Sequence, residues 1–453
     1  MPANRGDRPN VVVFFTDQQR WDTTGVHGNP MGLTPTFARL AAEGTHVANA
    51  FTCQPVCLPA RACLQTGLYA TQLGCVDNAS ALPLDARTLA HCFNEAGYDT
   101  GYIGKWHLRN TTMEAVSQEQ RGGYQYWLAS NVLEFTSDAY RCVMYDGDNR
   151  PVRLPGYRVD ALTDAAIRYI DARREEPFFL FVSYLEPHFQ NSRDDYPAPD
   201  GYAERYLDPW TPPDLRALGG SSARHLAGYY GMVKRLDEAL GRILDALKSL
   251  DLSGNTIVLF TSDHGCHFKT RNGEYKRSCH ESSIRIPAAL TGPGFLGGGR
   301  VRPLVSLVDF MPTLLDACGL PLPANVQGRS IRPLLGGRAT PWPEEVFVQI
   351  SEAQVGRAVR TGRWKYSVVA PKDHVKDRGS SDRYVEEFLY DLLADPYELN
   401  NLVGLKSHRG VADILKERLL RRMAEIGEPA PQIVAAPERG QGQFRITPEE
   451  ARQ

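Results

Sequence analysis

Short, mainly apolar runs alternate along the first two thirds of the chain with stretches whose apolar residues recur every three or four positions. The runs Val11–Thr16, Asp99–Ile103, Phe178–Tyr184 and Thr256–Thr261 predict strands. Because most of them carry apolar residues at successive rather than alternate positions, they predict strands buried on both faces. Helical spacing marks Pro35–Glu43, Thr88–Ala96, Val159–Arg173 and His225–Ser249, the last with Leu236, Leu240, Ile243, Leu244 and Leu247 on one side. This alternation predicts an α/β fold: a mainly parallel sheet sandwiched by helices. Arg109–Arg158 and Gln190–Ser222 lack strong periodicity and read as irregular insertions of the kind that bind ligands or form lids. Beyond Pro341 the pattern changes to short strands, Val346–Ile350, Ala358–Thr361, Lys365–Val369 and Glu387–Asp391, and a helix over Val411–Ile426. The expected division is a catalytic domain over 1–340 and a C-terminal subdomain over 341–453, an antiparallel sheet with one helix and a polar tail after Pro429.

Composition changes this picture little. Of 453 residues, 42% are hydrophobic and 23% charged, which suits a globular chain with a large core. A formal net charge of −2 gives no global field to recruit nucleic acid or a membrane surface. The nine cysteines are odd in number and spaced as neither a disulfide framework nor a zinc ribbon. The opening MPANRGDRPN runs straight into the first strand without a signal-type apolar region, and no run approaches the ~18 apolar residues of a membrane span. The expected location is cytoplasmic.

Candidate chemistry collects where strands end, the usual place for ligands in an open α/β sheet. Asp17 and Gln18 follow the first strand, and Asp263 and His264 follow a later one. Two carboxylates, an amide oxygen and an imidazole can bind one divalent cation. Equally, an Asp after a strand is often a helix cap or turn residue. Lys105 and His107 lie two apart after a third strand, so both can point to one side while Trp106 packs on the other. His188 follows a fourth strand in Glu186-Pro187-His188, and Lys276 opens the stretch Lys276–Pro287.

Val56-Cys57-Leu58-Pro59-Ala60-Arg61, followed by Leu64-Gln65-Thr66-Gly67, resembles the Cys-X-Pro-Ser/Ala-Arg signature of the sulfatase family, within the alkaline phosphatase superfamily. The plain alternative for these residues is a buried cysteine and a helix-start proline. The segments around Asp17, Lys105, His188 and Lys276 follow in the family's order, as do Leu307–Leu315, Gly328–Ile331 and Asp395–Leu402, so the resemblance spans roughly residues 10 to 405. It implies an alkaline-phosphatase-like fold and hydrolysis of a sulfate ester on a small molecule or carbohydrate. It implies that a formylglycine-generating enzyme oxidises Cys57 to formylglycine (3-oxoalanine), whose hydrate is the nucleophile.

By the same resemblance, Arg61 holds that nucleophile, Lys105 and Lys276 bind sulfate or ester oxygens, His107 deprotonates the second hydroxyl and His188 protonates the leaving group. One metal would sit on Asp17, Gln18, Asp263, His264 and residue 57. Calcium is the first choice; neutral Gln18, where the family usually has a second Asp, also admits magnesium, manganese or zinc. Asn78 and His280 are further substrate-binding candidates, although Asp77-Asn78 also suits a turn, and His267 and His280 also suit structural roles. Glu281 and Arg285, four apart, read as a structural ion pair. Tyr124, Tyr126, Trp127 and Tyr140 can stack on a sugar or aryl ring or pack in the core.

Two other functions fit the same residues: a phosphonate monoester or phosphodiester hydrolase of the same superfamily, and an inactive binding protein on the same scaffold. A homo-oligomer is compatible with the sequence. Specificity is expected in the two insertions and in Pro371–Arg383.

Overall fold

The computed structural model describes residues 8–336, 340–375 and 379–440. A ten-stranded sheet runs in the order Gly299–Val301, Thr45–Val47, Ala288–Thr291, Thr256–Ser262, Asn10–Thr16, Phe178–Ser183, Asp99–Lys105, Tyr126–Ser130, Cys142–Tyr145 and Pro151–Leu154. Its five central strands, from Thr256–Ser262 to Tyr126–Ser130, are parallel. Both faces are covered. Val11, Val13 and Phe15 pack with Leu58, Phe93 and Leu314, whereas Val12 and Phe14 pack with Phe37, Leu162, Leu236 and Ile243. The pleat sends successive side chains to opposite cores, so an apolar run without alternation is what a central strand requires.

The predicted strands and helices are present, with ends shifted by three residues at most apart from the extended strand Arg383–Asp391. The segment Arg109–Arg158 differs from expectation. It holds three strands that widen the sheet, Tyr126–Ser130, Cys142–Tyr145 and Pro151–Leu154, and a short helix, Leu133–Thr136. The two outer strands are an edge hairpin, half-buried and too short to show a periodicity. Gln190–Ser222 is irregular apart from one turn at Ala203–Tyr206 and the short helix Pro213–Leu218.

The chain beyond Glu345 forms a separate sheet, Glu345–Ile350, Gly356–Thr361, Trp364–Val369 and Arg383–Asp391, antiparallel throughout. The helix Arg409–Glu425 buries Ala412, Leu415, Leu419 and Met423. The polar tail contributes Gln432–Val434, a fifth strand that pairs parallel to Arg383–Val385. Residues 376–378, inside the Pro371–Arg383 segment, and the tail from 441 lie outside the described residues. The second sheet adjoins the nucleophile loop: Gln349 N–H donates to Cys53 O at 2.8 Å, and Gln54 Nε2 donates to Ser351 Oγ at 2.7 Å.

Candidate active site

Register places the site. Thr16 pairs with Ser262, so the next residues, Asp17 and Asp263, emerge side by side, and Asp263 N–H extends the ladder to Thr16 O at 3.2 Å. Gly104 pairs with Ser183, and a Cβ there would lie 1.9 Å from Ser183 O. Only glycine permits this close approach. Lys105, the last residue of its strand, then turns its ammonium onto Asp17 Oδ2 (2.8 Å) and Glu134 Oε1 (2.9 Å).

Cys57 is the first residue of the helix Cys57–Thr66, which is buried along its whole length and closed by Gly67 at φ 68°. Its Sγ stands 2.9 Å from Lys276 Nζ, 3.3 Å from His264 Nε2, 3.7 Å from Asp17 Oδ1 and 3.9 Å from Lys105 Nζ. Burial alone would push this thiol up, but Lys105, Lys276 and His264 outweigh it and hold it well below the ordinary thiol range. The position favours an anion, which is what a nucleophilic oxygen there becomes. Arg61, one turn on, donates from Nη2 to Asp17 Oδ2 (2.8 Å) and from Nη1 to Lys105 O (2.9 Å) and Ser183 Oγ (2.7 Å). Its guanidinium thus locks three strand ends beneath the nucleophile.

Asp17, Cys57, Asp263 and His264 bring four ligand atoms within 4.8 Å of one another, all buried. Two details suit a cation. Asp263 Oδ2 has no hydrogen-bond partner, and burial and the adjacent Asp17 push its carboxyl up to about 6. His264 Nδ1 faces Gly265 O at 2.9 Å, which leaves the Nε2 lone pair pointing into the cluster. Gln18, at φ 67°, lies beside this cluster: its Nε2 donates to Tyr196 Oη at 3.1 Å and its Oε1 accepts from Lys276 Nζ at 3.3 Å. The donor set therefore fits a divalent metal.

The remaining candidates divide. His188 Nε2 is 3.1 Å from Lys276 Nζ, and burial and Lys276 lower its pKa. His107 is buried with both ring nitrogens unpartnered, its Nδ1 3.8 Å from Glu134. His267 Nε2 meets Lys276 O at 2.9 Å and holds that residue's backbone. Asn78 Oδ1 accepts from Leu58 N–H at 3.2 Å and so engages the start of the nucleophile helix. His280 is not brought to the nucleophile: its nitrogens face Ser278 Oγ and Tyr390 Oη, and its ring packs on Phe388 in the second sheet. Glu281 pairs mainly with Lys365 (2.8 Å) and Arg360 (3.3 Å); Arg285, its expected partner, is 3.9 Å away. Trp106, Tyr124 and Trp127 cluster with Tyr102 in the core, whereas Tyr140 is 45% exposed.

Glu134 and Ser183 are site residues that no sequence reading singled out. Glu134 follows the strand Tyr126–Ser130 by four positions, as an acidic residue beyond a strand's carboxyl end, which is the signal that identified Asp17 and Asp263. In all, three cations (Arg61, Lys105, Lys276) meet three carboxylates (Asp17, Glu134, Asp263). A divalent cation would leave the pocket positive, as an anionic ester needs.

A family model described as Sulfatase matches residues 9–320, and one described as N-sulphoglucosamine sulphohydrolase, C-terminal, matches residues 273–425. The chain is 31% identical over 442 residues to the ulvan-active sulfatase of Formosa agariphila, covering 93% of this chain and 82% of that one. A Bacteroides thetaiotaomicron structure, from work on the metabolism of multiple glycosaminoglycans, has a TM-score of 0.81 at 25% identity, covering 93% of this chain and 97% of its own. The phosphonate monoester hydrolase of Agrobacterium radiobacter shares the fold, with a TM-score of 0.70 at 23% identity over 92% of this chain and 96% of its own.

Proposed function

The chain belongs to the sulfatase family of the alkaline-phosphatase-like superfamily and is a sulfatase, and from that premise we propose that it cleaves sulfate monoesters with a formylglycine derived from Cys57. The observation that carries this reading is the setting of Cys57 Sγ, with Lys276, His264 and Lys105 at 2.9, 3.3 and 3.9 Å. In the mature protein the sulfur is replaced by the two hydroxyls of the aldehyde hydrate. A hydrate is needed because one carbon must carry both an attacking and an expelling oxygen, which neither Ser nor Cys offers.

One hydroxyl, having lost its proton to solvent at this anion-favouring position, attacks sulfur, the S–O bond to the alcohol breaks, and the leaving oxygen takes up a proton from the His188–Lys276 pair, whose Nε2 and Nζ are 3.1 Å apart. His107, whose Nδ1 faces Glu134 at 3.8 Å, accepts the proton of the second hydroxyl. The C–O bond to sulfate then breaks, the aldehyde re-forms, and water restores the hydrate. Lys105 and Lys276 offset charge on the transferring group; one such preorganised donor is often worth ~3 kcal/mol. Asp17, Gln18, Asp263 and His264 would hold one divalent ion, calcium as first choice. When bound, that ion supplies positive charge that acidifies the hydrate and polarises the sulfate oxygens.

The substrate in this reading is a sulfated carbohydrate, whose hydroxyl is the leaving group, in line with the glycosaminoglycan context of the Bacteroides structure. A cytoplasmic setting belongs to the same reading; among the described residues no helix is long and apolar enough to cross a membrane. Phosphonate monoester or phosphodiester hydrolysis is a second reading, supported by the Gln18 and His264 ligand types and the shared fold.

The test is peptide mass spectrometry of the Cys57 fragment after co-expression with a formylglycine-generating enzyme, followed by paired assays on aryl sulfate and aryl phosphonate esters. Formylglycine with faster sulfate turnover is the expected result. An unmodified thiol refutes the nucleophile, and faster phosphonate turnover selects the second reading.

A further inference from the structure

The edge hairpin does more than widen the sheet. Its first strand meets the sheet at one pair, Ala129 with Tyr145, next to the carboxyl end of Tyr126–Ser130. Cys142–Met144 and their partners Val152–Leu154 therefore project beyond that end, on the side where Asp17, Lys105 and Asp263 emerge. Between this projection, the helix Leu133–Thr136 and the loop at Gln190–Ser192 lies a cavity of about 540 Å³. Both insertions that the sequence marked for specificity thus contribute to one hollow.

The lining has two parts. Phe135 and Tyr140 are large aromatic rings left 52% and 45% exposed. Arg141 and Arg153 are exposed, and among the described residues neither guanidinium has an ion-pair or hydrogen-bond partner. The one carboxylate in the lining, Asp138, is already held by Arg193 at 3.0 Å. Exposed aromatic faces beside unpaired guanidinium forks match a saccharide ring that bears an anionic group.

The position agrees with this. Glu134, which grips Lys105, directly precedes Phe135. His188, on the leaving-group side, is two residues from Gln190, a chain reach of about 7 Å. Gln190 ties the two walls together, donating from Nε2 to Glu134 O at 2.7 Å and to Ser137 O at 2.9 Å.

We infer that this cavity is a subsite for an anionic sugar of the leaving group, one carrying a carboxylate or a second sulfate, with Arg141 and Arg153 as the anion contacts and Phe135 and Tyr140 as the ring platform. The inference rests on the sulfatase reading for the identity of the leaving group, so its test has one arm that needs no turnover. Calorimetric binding of a sulfated, uronate-containing disaccharide to the Cys57→Ala protein is compared with and without Arg141→Ala plus Arg153→Ala. Binding should weaken at least ten-fold in the double variant, while a singly sulfated neutral disaccharide should bind both proteins alike. In the active enzyme, the ratio of kcat/KM on the acidic disaccharide sulfate to that on aryl sulfate should fall at least ten-fold, mostly through KM. Equal binding of the acidic disaccharide to both proteins, or an equal loss for acidic and neutral sugars, overturns the subsite. Absence of aryl sulfate turnover in the otherwise wild-type enzyme would instead count against the sulfatase reading, and the binding arm would still decide the subsite.

Discussion

Glu352 and Arg277 form an ion pair in which both backbones lie in the left-handed region, at φ 65° and 69°. Neither is a glycine, so each conformation costs free energy that its surroundings must offset. Glu352 Oε1 also accepts from Asn78 N–H at 2.6 Å, and Asn78 Oδ1 in turn accepts from Leu58 N–H. One carboxylate of the second sheet thereby braces the residue after Lys276 and the start of the nucleophile helix. Glu352→Ala should lower kcat on aryl sulfate by roughly ten- to a hundred-fold through misplacement of Lys276 and the nucleophile. Glu352→Asp should recover part of it. Steady-state kinetics check this; unchanged kcat in Glu352→Ala would show that the brace is dispensable.

Arg61 is the buried cation beneath the nucleophile, paired with Asp17 at 2.8 Å and 3.4 Å from Asp263. Removing one partner of a buried pair leaves the other charge uncompensated, at a cost of about 3–5 kcal/mol. Arg61→Ala should lose stability of that order, read as a lower urea midpoint at unchanged m. Arg61→Lys keeps the charge but not the fork that reaches Asp17, Lys105 O and Ser183 together, and it should fall between the two. A midpoint for Arg61→Ala within error of wild type would contradict the buried-pair argument.

Most of the site was legible because its residues sit at strand ends, and strand ends follow from local apolar runs. Asp17, Lys105, His188 and Asp263 are all of this kind. Glu134 escaped notice because the strand before it lies in a segment whose edge hairpin is too short and half-buried to show a period. His280 was a pocket candidate by its nearness in sequence to Lys276. Its actual neighbours, Phe388 and Tyr390, lie more than a hundred positions away, and no local pattern reports them. The same holds for Glu352 and Asn78. The fold class was readable from burial periodicity, whereas the parallel fifth strand Gln432–Val434 was not, since its residues are polar or half-exposed and its pairing is long-range.

Buried histidines outside the proposed ligand and catalytic sets, His267 and His27 among them, should each contribute stability that is lost in acid. Burial, against a favourable contact to Lys276 O, lowers His267 to about 4, and burial with Arg285 nearby lowers His27 to about 3. Both lie below the unfolded value of about 6.5, so the unfolded chain takes up protons first as pH falls. The stability each contributes should therefore be full above pH ~6.5 and decline between there and pH ~4, by up to about 1.4 kcal/mol per pH unit. The buried carboxyls Asp263, Asp309 and Glu387, pushed up to about 6, 6 and 7, act in the opposite sense, so the histidine share is read from the variant: in thermal melts between pH 7.5 and 4.5, His267→Gln should lose less Tm than the wild type. An unaltered slope would remove His267 from this account.

Metal removal tests the cluster independently of turnover. Without a cation, Asp17 and Asp263 share one buried site, and their repulsion is part of what pushes Asp263 up to about 6. A bound divalent ion relieves this and binds only the folded chain, so at a hundred times its Kd it should add about 2.7 kcal/mol of stability. Dialysis against a chelator should lower Tm and abolish aryl sulfate hydrolysis, and calcium should restore both. Titrating calcium, magnesium, manganese and zinc separately will rank them, with His264 and Gln18 favouring the nitrogen-tolerant ions more than an all-carboxylate site would. Asp263→Asn should reduce the metal-dependent rise in Tm. A chelated protein with unchanged Tm and unchanged turnover would mean that these four side chains hold no functional cation.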